Sequence, residues 1–284
     1  MDTQPIVFAV LVLGGISLVA AAILHLVSHV FKVNEDPLID EVYGVLPGAN
    51  CGGCGFAGCR NLAEEIVKTK VLEGVRCPAG GNAVLESIAK LLHLEASVSD
   101  PMIAVVKCNG SCENAPAKSL YDGAPSCSFA SSLFAGESSC TFGCLGLGDC
   151  VTACNFDAIY VDTNTGLPII DDEKCVACGA CAKACPRLLI ENRSKGLKNR
   201  RIYVACHNTE KGAMAKKNCN VACIGCGKCV KSCQFDAITI ENNLAYIDYQ
   251  KCKLCRKCVA ECPTQAIREV NFPKKQVAQE SLNN

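Results

Sequence analysis

The chain has 284 residues, with 28 basic and 28 acidic side chains, so its formal net charge at pH 7 is zero. This balance gives no indication of a nucleic-acid partner, which a strongly basic chain would favour. The chain also has 25 cysteines, no tryptophan and 5% aromatic residues. Such a composition predicts small domains built around metal rather than one large apolar core.

Two uses of so many cysteines compete, a disulfide framework and metal ligation. Most of the cysteines stand two or three residues apart in tight runs, and neighbours this close can all face one inorganic cluster. We therefore expect metal ligation, which implies a reducing compartment.

The first predicted element is a membrane anchor at residues 1–33. Residues 6–31 contain no Asp, Glu, Lys or Arg, and as a helix they would span about 39 Å, more than the roughly 30 Å hydrocarbon core of a bilayer. A cleaved signal peptide fits less well, because Asp2 stands where a basic region is expected and the apolar stretch is too long. Reduced thiolates would place the remaining domains on the cytoplasmic side of the cell inner membrane.

A small four-cysteine domain is predicted at residues 34–100. The stretches LPGANCGGCGFAGC and VRCPAG supply four thiolates, enough for one [4Fe–4S] cluster. They are Cys51, Cys54, Cys59 and Cys77. A helix from about Arg60 to Val71 is predicted between the third and fourth ligands, because apolar residues recur at helical spacing. A structural zinc site is the alternative, although the unequal spacing does not resemble paired CxxC knuckles.

The rest of the chain is an internal duplication. At a shift of 79 residues, five cysteines and the tetrapeptide FDAI of the first copy fall on the same residues of the second. Beyond a turn that is two residues shorter, the shift becomes 77, and four more cysteines and a proline coincide. The pairs at the shift of 79 include Cys127 with Cys206 and Cys140 with Cys219. We expect two modules, at residues 101–196 and 197–272, and a disordered tail at 273–284.

The second module carries two runs of the form C-x2-C-x2-C-x3-C. In two-cluster ferredoxins the fourth cysteine of each run binds the cluster of the other run. The predicted ligand sets are therefore Cys223, Cys226, Cys229 and Cys262 for one cluster, and Cys233, Cys252, Cys255 and Cys258 for the other. Between the runs, AITIENNLAYID predicts a β-hairpin with the two asparagines in its turn. These features predict the βαββαβ ferredoxin fold.

The first module has one regular run and one altered run. The regular run predicts a cluster held by Cys154, Cys175, Cys178 and Cys181. The other cluster has Cys144, Cys150 and Cys185, but Leu147 stands where a fourth cysteine is expected. Either Cys140 supplies the missing bond, which we favour, or the site holds a [3Fe–4S] cluster.

Five cysteines remain without an assigned cluster. They are Cys108, Cys112, Cys127, Cys206 and Cys219. Four of them could hold a sixth cluster, or they could be free buried thiols. The sequence therefore predicts five [4Fe–4S] clusters and leaves a sixth possible.

A basic segment at residues 187–217 contains nine lysines and arginines against two glutamates. A segment of this kind can steer an acidic partner. Because many ferredoxins are acidic, we expect ferredoxin to dock on this segment, with Arg200 and Arg201 contributing.

The order of these parts resembles the RnfB family of the Rnf complex, a membrane-bound ferredoxin:NAD oxidoreductase that moves sodium ions or protons. The motifs GANCGGCG, CLGLGDCV and CIGCGKCVKSC carry most of the resemblance, which covers nearly all of the chain. It implies an α+β protein with one transmembrane helix, a four-cysteine domain and two tandem ferredoxin-like modules. It also implies an electron-entry subunit that accepts electrons from ferredoxin and passes them towards membrane subunits and subunits that carry flavin and NAD.

Two rival functions remain open at this stage. Similar complexes keep a redox-sensing transcription factor reduced, and a stand-alone membrane-anchored polyferredoxin would have the same sequence features. No P-loop motif occurs, and the chain alone is expected to be an electron carrier without catalytic residues of its own.

Overall fold

The computed structural model describes residues 4–30, 36–95 and 98–273. Helices and strands are interspersed along the sequence, which confirms the prediction of a mixed α and β protein. The chain divides into two compact units, residues 1–41 and 42–284. Residues 1–3 and 31–33 of the predicted anchor and residues 274–284 of the predicted tail lie outside the described part.

The N-terminal unit contains helix α1, Gln4–Val30, which has 27 residues. Its segment Leu11–Ser28 has a mean hydropathy of 2.2, and none of it is buried within the protein. Among the described residues it is the one helix long and apolar enough, by length and composition, to cross a membrane. Large apolar side chains along it, such as Leu18 and Leu24, are exposed, as expected for a surface that contacts lipid. A short helix, α2, follows at Pro37–Val45.

The four-cysteine region is built on two helices, α3 (Cys59–Thr69) and α4 (Gly81–Leu92). Helix α3 matches the helix predicted near residues 60–71, and it buries Leu62, Ala63 and Ile66 along one face. Its end is marked by a left-handed residue, Lys70, whose N–H donates to the carbonyl of Ile66. Such a cap satisfies one of the free carbonyls of the last turn.

The first half of the duplication has four strands and three helices. Its strands are β1 (Met102–Val106), β2 (Ile159–Val161), β3 (Pro168–Ile170) and β4 (Ile190–Ser194). Its helices are α5 (Cys127–Phe134), α6 (Asp149–Thr152) and α7 (Ala180–Ala184). Strand β1 pairs antiparallel with β4, and β2 pairs with β3.

The second half repeats this pairing. Its strands are β5 (Arg201–Val204), β6 (Ile238–Glu241), β7 (Leu244–Ile247) and β8 (Ile267–Val270), and its helices are α8 (Gly212–Asn218), α9 (Lys228–Ser232) and α10 (Lys257–Ala260). Strand β5 pairs with β8, and β6 pairs with β7. The predicted hairpin is confirmed, since Asn242 and Asn243 join β6 to β7 with φ angles of 48° and 62°. Left-handed angles at both positions are typical of a tight hairpin turn.

The two halves are joined by packing and by buried charge. Ile103 and Val105 of β1 pack against Tyr203 of β5. Arg193 of β4 is 2% exposed. Its guanidinium pairs with Glu191, donates to the carbonyl oxygen of Ile247 at 2.7 Å and lies 5.0 Å from the ring centre of Tyr246.

Candidate metal centres

The first cysteine group brings its four predicted thiols close together. Burial raises the pKa of the Cys77 thiol, and the nearby thiols of Cys59, Cys51 and Cys54 raise it further. The carboxamide oxygen of Asn50 accepts the N–H of Cys59 at 2.8 Å, and the N–H of Gly80 points at the sulfur of Cys77 at 3.4 Å. N–H groups directed at cysteine sulfurs stabilise their negative charge when metal is bound.

This group lies against the first half of the duplication. A Cβ atom placed on Gly53 would stand 2.9 Å from both the Cα and the carbonyl oxygen of Cys178. A side chain at residue 53 would therefore push the two backbones apart, and glycine permits their close approach.

The regular runs line cavities in the crossed arrangement that the sequence predicts. One cavity is lined by Cys154, Cys175, Cys178 and Cys181. A second is lined by Cys223, Cys226, Cys229 and Cys262. In the remaining set, burial raises the pKa of Cys258 to about 12, and the thiols of Cys252, Cys255 and Cys233 are close enough to contribute.

The altered run differs from our sequence prediction. Its cavity is lined by Cys144, Cys150 and Cys185 together with Cys127. Cys127 begins helix α5, and Cys140, which we favoured, lies in a different cavity. At the altered run, Cys127 thus lines the cavity where the sequence predicted Cys140.

A further cavity lies between the two halves and is lined by Cys108, Cys140, Cys206 and Cys219. Two of these thiols come from each half. Cys108 and Cys206 each follow the end of a strand, β1 or β5, by two residues. Cys140 and Cys219 each stand four residues before the first cysteine of a run. The site is therefore built from two equivalent pairs.

We call the cavity lined by these four cysteines the interhalf site, and polar groups are directed at its sulfurs. The N–H of Cys144 points at the sulfur of Cys108 at 3.4 Å, and the side-chain amide of Asn208, which is 1% exposed, points at the sulfur of Cys140 at 3.6 Å. A Cβ atom on Gly110 would stand 3.2 Å from the sulfur of Cys219. The site is thus apolar in most directions, supplied with donors to sulfur, and closely packed.

The positions of the cysteines relative to strands β1 and β5 give a different alignment of the two halves from the one that the sequence shift gave. The shift of 79 paired Cys127 with Cys206, whereas the structure gives Cys206 the position of Cys108. The first half has 19 more residues than the second between the post-strand cysteine and the pre-run cysteine, and Cys127 lies in this insertion. The similar stretches AVVKCNG and IYVACHN, with a cysteine two residues beyond the strand, could have revealed this register from the sequence.

Cys112 lies apart from these cavities. Its thiol is exposed and lies 3.6 Å from the carbonyl oxygen of Thr165. Of the five cysteines left unassigned by the sequence, it is the one that lines none of the four cavities described above.

The donor sets fit a group larger than a single ion. All 25 cysteines are free thiols. In the described part of the chain, no three His, Cys, Asp or Glu side chains converge closely enough to hold one metal ion. In four of the sets the thiols instead line cavities, four to each, as a cubane with four iron corners requires. A tetrahedral zinc ion would need its four sulfurs about 2.3 Å from one point.

Burial opposes ionisation of these thiols in the absence of metal. It raises the pKa of Cys144 to about 12 and that of Cys150 to about 11. Burial likewise raises the pKa of Cys206 to about 11. Because thiolates are the iron ligands, the positive charge of iron must compensate the desolvation of these sulfurs.

The basic segment at 187–217 is not a continuous exposed surface. Arg193 and Arg201 are 2% and 7% exposed. Arg187 is half-buried and donates to the carbonyl oxygens of Ala135 and Gly143. Arg201 donates to the carboxylate of Asp172 at 3.1 Å. Three of its nine cations therefore stabilise the fold, which weakens the prediction that the whole segment is a docking surface.

Three segments match models of iron–sulfur families. Residues 46–78 match "Putative Fe-S cluster", residues 168–191 match "4Fe-4S binding domain" and residues 222–267 match "4Fe-4S dicluster domain". The first contains the four-cysteine group, the second the regular run of the first half, and the third both runs of the second half. The iron–sulfur character predicted from the sequence is confirmed at these segments.

Whole-chain relatives are corresponding subunits of one kind of complex. The chain is 42% identical over 256 residues to a subunit of the Na(+)-translocating ferredoxin:NAD(+) oxidoreductase complex of Acetobacterium woodii, covering 90% of this chain and 75% of the relative. It is 39% identical to a subunit of the ion-translocating oxidoreductase complex of Methanosarcina acetivorans, covering 91% and 96% of the two chains. The proton-translocating counterpart of Clostridium ljungdahlii is 40% identical, covering 93% of each.

This chain belongs to the RnfB family. The resemblance seen in the sequence is thereby confirmed. The three family-model segments leave out the cysteines that line the interhalf site and most of those at the altered run. Those two sites are the parts of this RnfB chain for which the structure adds most to the sequence.

Proposed function

We propose that this chain is the electron-transfer subunit of a membrane-bound, ion-translocating ferredoxin:NAD⁺ oxidoreductase complex. Family membership supports the complex, and the number of four-thiol sites in one chain supports electron transfer. The chain contributes to the oxidoreductase as a subunit and is itself a carrier. The observation that carries the proposal is that thiol sites continue across the junction of the two halves, through the interhalf cavity.

Six [4Fe–4S] clusters account for 24 of the 25 cysteines. The proposed ligand sets are Cys51, Cys54, Cys59 and Cys77; Cys154, Cys175, Cys178 and Cys181; Cys127, Cys144, Cys150 and Cys185; Cys108, Cys140, Cys206 and Cys219; Cys223, Cys226, Cys229 and Cys262; and Cys233, Cys252, Cys255 and Cys258. Cys112 is left as a free thiol. We assign the ligands of the regular runs from the spacing of their cysteines. We assign the two sets that include Cys127 and Cys140 from the cysteines that line a common cavity.

Neighbouring sites are linked by hydrogen bonds from backbone N–H groups to sulfur and by one close approach of two backbones. Cys108, of the interhalf set, accepts the N–H of Cys144, which belongs to the altered run. Cys206, also of the interhalf set, accepts a backbone hydrogen bond from Cys223, which belongs to the second half. Gly53 brings the four-cysteine group against Cys178.

The chain's own residues therefore hold adjacent sites at fixed positions. Bound clusters supply one-electron transfer between such sites. These contacts support a single path for electrons from the four-cysteine group to the second half. Every electron on this path must pass through the interhalf site.

The proposed setting is the inner face of the cell membrane. Helix α1 supports a single-pass anchor, because an apolar surface exposed over 18 residues is unfavourable in water. Thiolate ligands support a cytoplasmic position, where thiols stay reduced. Soluble ferredoxin is the proposed electron donor, and other Rnf subunits that carry flavin and NAD are the proposed acceptors.

Purification from membranes under anaerobic conditions tests this function. We expect other membrane subunits to co-purify and the preparation to reduce NAD⁺ with reduced ferredoxin as donor. Replacing Cys219 by alanine removes a proposed interhalf ligand, and we expect NAD⁺ reduction to fall at least tenfold while the complex remains assembled. Full activity of the Cys219→Ala complex would contradict a continuous path, and a chain that purifies alone with full ferredoxin oxidation would indicate a stand-alone polyferredoxin.

A further inference from the structure

The altered run differs from its counterpart in more than the missing cysteine. In the repeat register, Leu147 corresponds to Cys226, and Asp149 corresponds to Lys228. Beyond the shortened turn, Arg187 corresponds to Thr264. Asp149 and Arg187 therefore have no counterpart of the same charge in the second half. Both belong to the first half, which also contains helix α5.

Asp149 lies at the N-terminus of helix α5. One of its carboxylate oxygens accepts the N–H of Cys127 at 2.8 Å, and the other accepts the N–H of Ser128 at 3.0 Å. The hydroxyl of Ser126 donates to the same carboxylate at 3.1 Å. Ser126 occupies the N-cap position but makes no capping bond with its own side chain. Asp149 therefore caps this helix from 21 to 23 residues away in sequence.

Arg187 lies at the opposite end of the same helix. Its guanidinium donates to the carbonyl of Ala135, the C-cap residue of α5, and to the carbonyl of Gly143. Arg187 also lines the cavity of the altered run, next to Cys185. One side chain thus ties the end of the inserted helix to the loop that precedes the run.

The signs of these two charges match the ends of the helix. The first turn of a helix has free N–H groups and the last turn has free carbonyls, so an anion is favourable at the start and a cation at the end. Helix α5 has eight residues with no acidic side chain in its first turn and no basic one in its last. An isolated helix of this length is unstable in water, so its position depends on groups outside it.

We propose that Asp149 and Arg187 are positioning residues that clamp helix α5 against the altered run, so that Cys127 replaces the iron ligand missing at Leu147. The proposal rests on the assignment of Cys127 as a ligand in the proposed function. Asp149 fixes the backbone of Cys127 itself, and Arg187 fixes the far end of α5. Cys127 binds iron as a thiolate, and its proton leaves to solvent.

Loss of the fourth ligand of a cubane has a spectroscopic signature, the paramagnetic signal of an oxidised [3Fe–4S] cluster. We expect Cys127→Ser to produce this signal and to lower the iron content by about one atom per chain. We expect Asp149→Ala to produce the same signal in a large fraction of chains, because α5 is uncapped. Adding Leu147→Cys to either variant should abolish the signal, since the run then supplies its own ligand.

The matched control is Asp162→Ala. Asp162 also accepts a backbone N–H, that of Asn164 at 3.2 Å, and a hydroxyl, that of Thr165 at 2.7 Å, but in the turn between β2 and β3. We expect no three-iron signal from this variant. A signal of equal size would mean that loss of any such carboxylate disturbs the cluster, which would overturn the clamp.

The outcomes separate the two proposals. If Cys127→Ser keeps a complete cubane, the ligand assignment fails and the clamp fails with it. If Cys127→Ser shows the signal but Asp149→Ala does not, Cys127 is the ligand and the clamp is wrong. If Asp149→Ala yields no folded protein, recovery in the Leu147→Cys background supports the clamp, because only the ligand was displaced, and failure to recover refutes it.

Discussion

Cys127 and Cys140 are 13 residues apart in the sequence, yet they line different cavities. Each takes a position that the spacing of the runs alone does not assign. Cys140 has an equivalent in the second half, Cys219, and shares the interhalf cavity with it. Cys127 has no structural equivalent there, because it lies in the 19-residue insertion. For these two cysteines, the cavity that each one lines therefore depends on the fold around it rather than on its spacing from the runs.

For the regular runs, the sequence predicts a ligand set residue by residue. Their short spacing forces three thiols towards one point, and the fourth follows from the crossed arrangement of two-cluster ferredoxins. The remaining thiols are brought together by contacts between residues far apart in the sequence, such as Cys108 with Cys144, 36 residues away, and with Cys206. No local pattern determines contacts over that separation, so the sequence left them open.

Arg201 gives a prediction at the scale of one residue. We expect Arg201→Glu to destabilise the protein by about 3 kcal/mol, because Asp172 would lose its partner in a largely buried pair and face a second anion. For a unit of this size, this corresponds to a fall of roughly 6–12 °C in the temperature at which absorbance near 400 nm is lost. The exchanged variant Arg201→Asp with Asp172→Arg should recover most of that loss.

The matched control for this prediction is Lys198→Glu. Lys198 belongs to the same basic segment but is exposed, so its reversal should leave the melting temperature within about 1 °C, as is usual for surface changes. If Lys198→Glu weakens ferredoxin-dependent reduction at low salt, the exposed part of the segment is the docking surface. An unshifted melting temperature for Arg201→Glu would contradict a structural role for Arg201.

At the scale of elements, the strands and helices carry the cysteines to their places. Strands β1 and β5 end two residues before Cys108 and Cys206, and the two strands come together through Ile103, Val105 and Tyr203. The hairpin of β6 and β7 was predictable because its two asparagines tolerate left-handed angles. The pairing of β1 with β4, across 83 intervening residues, was not, since strand pairing at long range has no local signal.

Arg193 gives a prediction at this scale, because it links strand β4 to the second half. We expect Arg193→Met to lower the free energy of unfolding by about 3 kcal/mol, since the carbonyl oxygens of Ile202 and Ile247 lose a charged donor in a buried position. Glu191 keeps Lys107 as an ion-pair partner at 3.2 Å. The measurement is thermal loss of cluster absorbance, compared with Lys198→Met at an exposed position. Equal stability of the two variants would show that the buried arginine does not stabilise the junction.

At the scale of the whole molecule, an apolar helix precedes a series of thiol sites that ends in the second half. Length and hydropathy made helix α1 predictable, and the internal duplication made the repeated strand order predictable. The sequence did not reveal that the duplication creates a site of its own between the copies. Such a site needs two surfaces to meet, and each copy alone supplies only two of its four cysteines.

Removal of helix α1 gives a prediction at this scale. We expect a chain lacking residues 1–33 to move from the membrane fraction to the soluble fraction while it keeps its full iron content, because none of the cysteines lies in that segment. The measurement is fractionation followed by iron analysis, with the full-length chain, expressed without its partner subunits, as the control. Retention of the shortened chain in the membrane would contradict the proposed anchor.

Iron analysis of the anaerobically purified chain tests the six-site arrangement most directly. Six cubane sites predict about 24 iron atoms and as many sulfides per chain. Cys112→Ser should leave this number unchanged, and Cys219→Ala should lower it by between one and about four atoms, up to one whole cluster. A value near 20 in the unaltered chain, with no change on replacing Cys219, would contradict a cluster between the two halves.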